Sequence, residues 1–436
     1  MTFKSLVRGL AAIVGGLVAV FALVDLVTRP WSLQAQLPPL VLLLVGGSVF
    51  AGSCVRGAAR AKIIALMLSI LVGLYGWELY LTLRLVWIER ATNAEHDRRT
   101  RHEVVLDLRR EGDTRAVPIV YPSLILYYRH ALPVPVSAIM ASELLPLGGL
   151  SGRTTVLCNE SGKYAIYRAD EHGFRNPMSA WRVPPRIAVV GDSFSHGQCV
   201  DDGEDWVGVM RKSVPQILNL SMGGDGPLFM LATIREYLRV LKPPILIWQY
   251  LEGHETRIPL ELQVPILKRY LEEPSYSQGL AGRQAEIDAL AEKIIEKAEP
   301  AESGAAFILS NVVRLRSLRN AVSPPPSPSG PAELRLLARI LHDAKSTVES
   351  WGGKMYFLYL PGYGGLQPGA PSHYASHDQV LALVRELELD VIDLFPVFRS
   401  HPDPPSLFPY RRSNHYNAAG YALVADTVRK SIPISR

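Results

Sequence analysis

The chain has 436 residues, 48% of them hydrophobic, and a formal net charge of +5. That length exceeds one small domain and predicts two or three units. Residues 1–90 hold eight Lys/Arg against three Asp/Glu, so the whole positive excess sits there and the remainder is balanced, which excludes a nucleic-acid footprint.

Three apolar runs crowd this first segment, at about 10–27, 37–55 and 63–83. Each is long enough to cross a hydrocarbon layer as a helix, which takes about 20 residues. They predict three transmembrane helices, a membrane anchor over 1–90 with the lipid bilayer as its partner. The first run has too long a core for a cleaved signal peptide, and no small-x-small site follows it. Lys4 and Arg8 precede the first run, and Arg56, Arg60 and Lys62 lie between the second and third, whereas Arg29 alone lies between the first and second. The positive-inside rule then predicts a cytoplasmic N-terminus and a large C-terminal part on the far side. Glu78, near the outer end of the third run, is read as snorkelling to the interface.

Residues 91–180 read as a connecting module. "HEVVLDLRREG" predicts a short helix stopped by glycine. "VPIVYPSLIL" is apolar and broken by proline. "CNESGKYAIYRADEHGFRNP" predicts two short strands around Gly162, then a turn at Asp170–Gly173. From residue 181 to the end, strand and helix alternate: "RIAVVG", "QILNLSM", "PILIWQYLEG", "KMYFLYLP" and "LDVIDLF" predict strands, while "WVGVMRKSV", "PLFMLATIREYLRVL", "AELRLLARILHDAKSTVESWGG" and "NAAGYALVADTVRKSI" predict helices. Short apolar strands alternating with helices predict an α/β fold, a parallel sheet with helices on both faces. A mostly helical, charged stretch at about 261–332, ending in the proline-rich "SPPPSPSGP", reads as an insertion.

Ser193 follows a buried strand and a Gly-Asp turn, which places it at the carboxyl edge of the sheet, where open α/β sheets bind ligands. A serine becomes a nucleophile when a general base reaches it. His415, in a loop just before the last helix, opens at the same edge and is the candidate base. Asp192 is read as bracing the nucleophile loop, His196 as part of its turn, and His172 and Arg175 as either capping the site or building a turn. Of three cysteines, Cys54 ends the second apolar run, whereas Cys158 and Cys199 share the exported part, where a disulfide between them is expected. No metal site and no organic cofactor is implied.

These residues carry a family resemblance over roughly 100–430. "GDSFSHG", "NLSMGGDGP", "EGHE" and "HYNAAGY" resemble, in order, four sequence blocks of the SGNH/GDSL hydrolase superfamily. More closely, the exported part resembles membrane-attached members found with bacterial exopolysaccharide gene clusters. The resemblance implies an SGNH-like, flavodoxin-like sheet, Ser193 as nucleophile, His415 as base, and an oxyanion hole of the Ser193 and Gly224 N–H groups. His254 stands where the third block has an asparagine, and is expected to turn a ring N–H into that hole. The usual aspartate before the histidine is missing, since Arg412 and Ser413 occupy those positions; Glu252, Glu255 and Asp393 are the candidates to orient His415. The implied function is a membrane-anchored serine O-acyl (acetyl) esterase or acyltransferase acting on exported or cell-surface polysaccharide. Its expected place is a bacterial inner membrane, with the large domain in the periplasm and export proteins as partners. The rival is a non-catalytic glycan-binding or assembly protein.

Overall fold

A computed structural model of the chain describes residues 12–20, 23, 43, 45–47, 49–50, 58–91, 97–123, 144–297, 305–321, 330–367 and 376–433. The chain divides into two units, one of residues 1–94 with 302–327 and one of residues 95–301 with 328–436. The connecting module thus folds as part of the α/β unit, and a piece of the helical insertion belongs with the N-terminal segment.

In the first unit the third apolar run is a continuous helix, α1 (Ala58–Ala91). Parts of the first two runs, Cys54, and Lys4, Arg8, Arg29 and Arg56, on which the expected orientation rests, lie outside the described residues. Counting described residues alone, no helix is long and apolar enough to cross a membrane. Gly15 and Gly46 bring the first two runs together: an added Cβ on either would lie 2.7 Å from a backbone nitrogen of the other run, the close approach that small residues permit between apolar helices. Glu78 does not snorkel. It is fully buried, and its carboxylate accepts the N–H groups of Ser317 (2.8 Å) and Leu318 (2.7 Å) at the start of a short helix, Arg316–Ala321. A carboxylate there satisfies orphan donors that hydrocarbon cannot.

The second unit begins with α2 (Arg101–Arg110), opened by a Thr100/Glu103 capping box. A small sheet follows, of β1 (Val117–Pro118), β2 (Thr154–Val156) and β3 (Ile166–Arg168), with β1 parallel and β3 antiparallel to β2. The ladder continues beyond β2 and β3 through Leu157 N to Ala165 O and Ala165 N to Cys158 O, both 2.9 Å. It leaves residues 159–164 as the hairpin loop.

The main sheet has β4 (Ile187–Val190), β5 (Ile217–Asn219), β6 (Ile245–Leu251), β7 (Lys354–Leu360) and β8 (Asp390–Asp393), in the order β5-β4-β6-β7-β8 and parallel throughout. Side chains alternate between two cores. Ala188, Val190, Leu246, Trp248, Phe357 and Tyr359 face one, with Leu337, Ile340 and Leu341 of the helix Pro331–Glu349. Ile187, Val189, Ile247, Leu358 and Leu360 face the other, with Val424, Ala425 and Val428 of the last helix, Ala418–Ser431. Both faces are covered, which is why these strands read as unbroken apolar runs. Each Val or Leu so buried contributes about 1.5–3 kcal/mol.

The strand order reverses beside β4, so the loops after β4, β5 and β6 open into one crevice at the carboxyl edge. The stretch expected as one helix from Pro227 to Leu241 contains a π-helical turn over Ile234–Leu238. On that turn Glu236 accepts the N–H groups of Gln278 (2.6 Å) and Leu280 (2.8 Å), tying the near half of the insertion to the core.

Candidate active site

β4 runs into Gly191, and the space there explains the glycine: a Cβ would lie 2.4 Å from Gln249 Oε1. That oxygen accepts the Asp192 N–H at 2.9 Å. Asp192 caps a four-residue helix, Ser193–His196, by accepting the Phe194 N–H at 3.0 Å. Gly197 ends the helix in the left-handed region (φ 76°). Ser193 is therefore the first helical residue, with its own N–H left without an intrahelical acceptor.

The candidate base arrives from the other end of the chain. Asn417 caps the last helix by accepting the Gly420 N–H at 3.0 Å, which fixes the loop before it. His415 Nε2 lies 2.8 Å from Ser193 Oγ. The ring packs on Phe194, with centroids 4.8 Å apart.

His415 has its carboxylate, from a residue absent from the sequence expectations. Glu160, in the hairpin loop between β2 and β3, lies 2.9 and 3.0 Å from His415 Nδ1 through its two oxygens and accepts the His415 backbone N–H at 3.0 Å. Burial works against ionisation of Glu160, but the hydrogen bonds and charge of His415 outweigh it and hold the carboxyl below the ordinary glutamate value. An ionised Glu160 is acceptor-only, so Nδ1 carries the proton and Nε2 is free to accept the Ser193 hydroxyl proton. The three acids expected from sequence are engaged elsewhere. Glu252 accepts the Tyr359 hydroxyl and the Gly362 N–H, both at 3.0 Å, and burial pushes it up to about 7. Glu255 accepts the Tyr250 hydroxyl. Asp393 accepts the Phe395 N–H at 3.0 Å and meets His377 Nε2 at 3.1 Å.

His254 does not face an oxyanion. It is 1% exposed; its Nε2 lies 2.8 Å from Asp192 Oδ2, and its Nδ1 accepts the Leu251 N–H at 3.3 Å. An imidazolium could not accept that N–H, so the ring is neutral, in keeping with burial, which lowers its pKa. Burial works against Asp192 too, but the His254 hydrogen bond, Arg257 at 3.8 Å and the Phe194 N–H hold its carboxyl below the ordinary aspartate value. The residue in the asparagine position therefore steadies the nucleophile loop from behind. His254→Ala is expected to lower stability by about 2–3 kcal/mol by removing a buried hydrogen bond to a charged group. Its kcat should fall by much less than the roughly 10²-fold that losing an oxyanion donor brings. A thermal melt and kcat from one preparation decide it; a large fall in kcat with an unshifted melt would put the ring in the hole.

Gly224 lies in the loop after β5, in the left-handed region (φ 83°). The loop is held against the nucleophile strand by Met222 N to Gly191 O (3.3 Å), and from outside by Ser123 Oγ to Gly223 O (2.7 Å). Among the described residues neither the Ser193 nor the Gly224 N–H donates to a protein acceptor.

The "DEHGFRNP" stretch proves to be scaffold. Asp170 accepts the N–H groups of His172 and Phe174, both at 2.9 Å, and the indole N–H of Trp181 at 2.7 Å. Arg175 donates to the carbonyls of Gly197 and Val200, behind the nucleophile helix, and to Asp202. His172 meets Trp181 edge to face, with ring centroids 4.3 Å apart. His196 is buried between Tyr121 and Tyr167, and burial brings it down to about 3. Cys158 and Cys199 form a disulfide. A cavity of about 380 Å³ beside Arg168, Arg175 and Arg211 is lined by neither Ser193 nor His415.

No protein-family model and no curated protein matches the chain. Among solved structures it is similar to TesA (14% identity, 57% of this chain and 97% of that one, TM-score 0.33). It is also similar to the acetyl xylan esterase AlAXEase (10% identity, 56% and 99%, TM-score 0.33). A third is a lipolytic protein of the G-D-S-L family from Veillonella parvula (15% identity, 57% and 98%, TM-score 0.32).

Proposed function

We propose that the protein is a membrane-anchored serine hydrolase of SGNH type that removes or transfers O-acyl groups, acetyl above all, on exported or cell-surface polysaccharide. One observation carries the chemistry: Ser193 Oγ lies 2.8 Å from His415 Nε2, while Glu160 holds Nδ1 of the same ring. That chain of three groups is what turns a serine into a nucleophile at neutral pH.

Ser193 Oγ attacks the acyl carbon as its proton passes to His415 Nε2, and Glu160 faces the imidazolium so formed. The Ser193 and Gly224 N–H groups take the charge on the acyl oxygen. Collapse expels the sugar hydroxyl, which leaves with the proton from His415, and acyl-Ser193 remains. Water, or a second sugar hydroxyl, then gives its proton to His415 and attacks the acyl carbon; the Ser193 Oγ–acyl bond breaks, and His415 returns the proton to Oγ as the acid or new ester leaves. The polysaccharide substrate and the export setting rest on the sequence blocks and on the three N-terminal apolar runs, whose Lys/Arg bias supports a periplasmic catalytic unit.

The test is covalent labelling. Full-length protein in detergent is expected to take one equivalent of a fluorophosphonate at Ser193, located by peptide mass spectrometry, and to hydrolyse 4-nitrophenyl acetate. Ser193→Ala should do neither. Wild type that is neither labelled nor active would leave the glycan-binding reading in possession.

A further inference from the structure

Glu160 comes from a different sheet than Ser193 and His415, and the hairpin loop that carries it has few ties. Ser161 Oγ donates to Cys199 O at 3.1 Å, Asp97 N to Gly162 O at 2.7 Å, and Asn159 Nδ2 to Asp97 O at 2.7 Å. The Lys163–Asp201 ion pair is exposed, at 65% and 41% of the two side chains, and such pairs hold little. The covalent tie is the disulfide. Cys158 is the last ladder residue before the loop, two positions from Glu160, and Cys199 is six positions beyond Ser193. The bond joins residues 41 positions apart, and the ring of chain it closes holds both Glu160 and Ser193. Cys199 itself sits in the left-handed region (φ 63°), a conformation a non-glycine residue keeps only when its surroundings impose it.

We propose that the Cys158–Cys199 disulfide positions the acid of the triad, holding Glu160 on His415, so that its reduction to two thiols disarms the site. The proposal rests on the hydrolase reading for its effect on rate, but the positioning itself does not. The chemical step is a two-electron exchange: a dithiol reductant becomes a cyclic disulfide and passes two protons and two electrons to the cysteine sulfurs. Among the described residues the loop then keeps non-covalent ties: those above, the Tyr164 hydroxyl donating to Arg99 O at 2.9 Å, and the Glu160 contacts with His415 themselves. Displacing a catalytic group by about 1 Å costs on the order of 10² in rate. Before the disulfide forms, the chain would carry a nucleophile and base without their acid; oxidation in an export compartment completes the site.

The experiment uses full-length protein labelled with ¹⁵N-histidine, oxidised or reduced by dithiothreitol, with Cys158→Ser/Cys199→Ser as a second route to the open state. Two quantities are read, the downfield Nδ1–H resonance of His415 and the kinetics of ester hydrolysis. The oxidised protein is expected to show the resonance, and reduction to abolish it. Reduction should lower kcat by about 10²-fold with KM within about threefold. In Glu160→Gln, reduction should change kcat by less than about twofold, because the contact it breaks is already lost. A resonance and kcat that survive in both open forms would overturn the proposal, and so would an equal fractional loss in Glu160→Gln, which is what general loosening of the fold gives. Loss of the resonance on reduction in a protein that hydrolyses no ester in either state would uphold the positioning and sink the hydrolase reading.

Discussion

His415→Ala is expected to lower kcat for a simple acetyl ester by about 10⁴–10⁶, with KM within about threefold. In the proposed reaction the ring serves twice. It takes the Ser193 proton at 2.8 Å during attack, and it later activates the water or hydroxyl that releases the acyl group. Both services are absent from the ground-state complex, so their loss falls on kcat. The fold should survive, because the ring is part-exposed, at 19%, and the loop is anchored by Tyr416, whose hydroxyl donates to Pro361 O at 2.6 Å. Pre-steady-state measurements separate the steps: the variant should show no acyl-enzyme burst. A fall of less than about tenfold would remove His415 from the acid–base role.

The second large effect belongs to Glu160. Glu160→Gln is expected to lower kcat by about 10²–10⁴. A glutamine keeps the shape, but its amide can donate to Nδ1, which favours the ring tautomer with its proton on Nε2, where Ser193 needs an acceptor. Glu160→Asp should recover part of the loss if the shorter side chain still reaches. A stability signature accompanies the rate. The folded-state pKa of Glu160 lies below its ordinary value, so the stabilisation it lends is complete above that ordinary value and is lost as pH falls through the lowered one. The difference in melting temperature between wild type and Glu160→Gln should be constant near neutrality and shrink below about pH 4. A difference that grew with acidity would mean that Glu160 is bound as a neutral acid.

With His254 turned onto Asp192, the proposed oxyanion hole is left with two backbone donors, the N–H groups of Ser193 at its helix start and of Gly224 in the loop after β5. Asp192 is held at one oxygen by the helix it caps and at the other by His254.

What the sequence by itself determined was local or periodic. Apolar runs specified the inner parallel strands, because a strand covered on both faces has no room for a polar side, whereas the edge strand Asp390–Asp393 carries an aspartate at each end. Gly191, Asp192 and Ser193 specified a turn into a helix start, and Asn417 marked the start of the last helix with His415 just before it. The cysteine pair followed from two cysteines sharing the part of the chain expected to be exported. Tertiary structure decided the rest. Which carboxylate meets His415 depends on how a second sheet packs beside the first, and Glu160 lies 255 positions from the ring it orients. The sequence did hold one signal: a disulfide from Cys158 to Cys199 obliges a residue two positions from Cys158 to lie near the nucleophile loop. Glu252, Glu255 and Asp393 sit closer to the strand ends in sequence, yet tyrosine hydroxyls, backbone N–H groups and His377 claim them. His254 could not be placed because a ring with two nitrogens serves whichever buried charge lies within reach, and only the packing of β4 beside β6 brings Asp192 there. Glu78 shows the same limit, since a lone acid in an apolar helix reads as bound for water until another segment of the chain supplies the N–H groups that keep it inside.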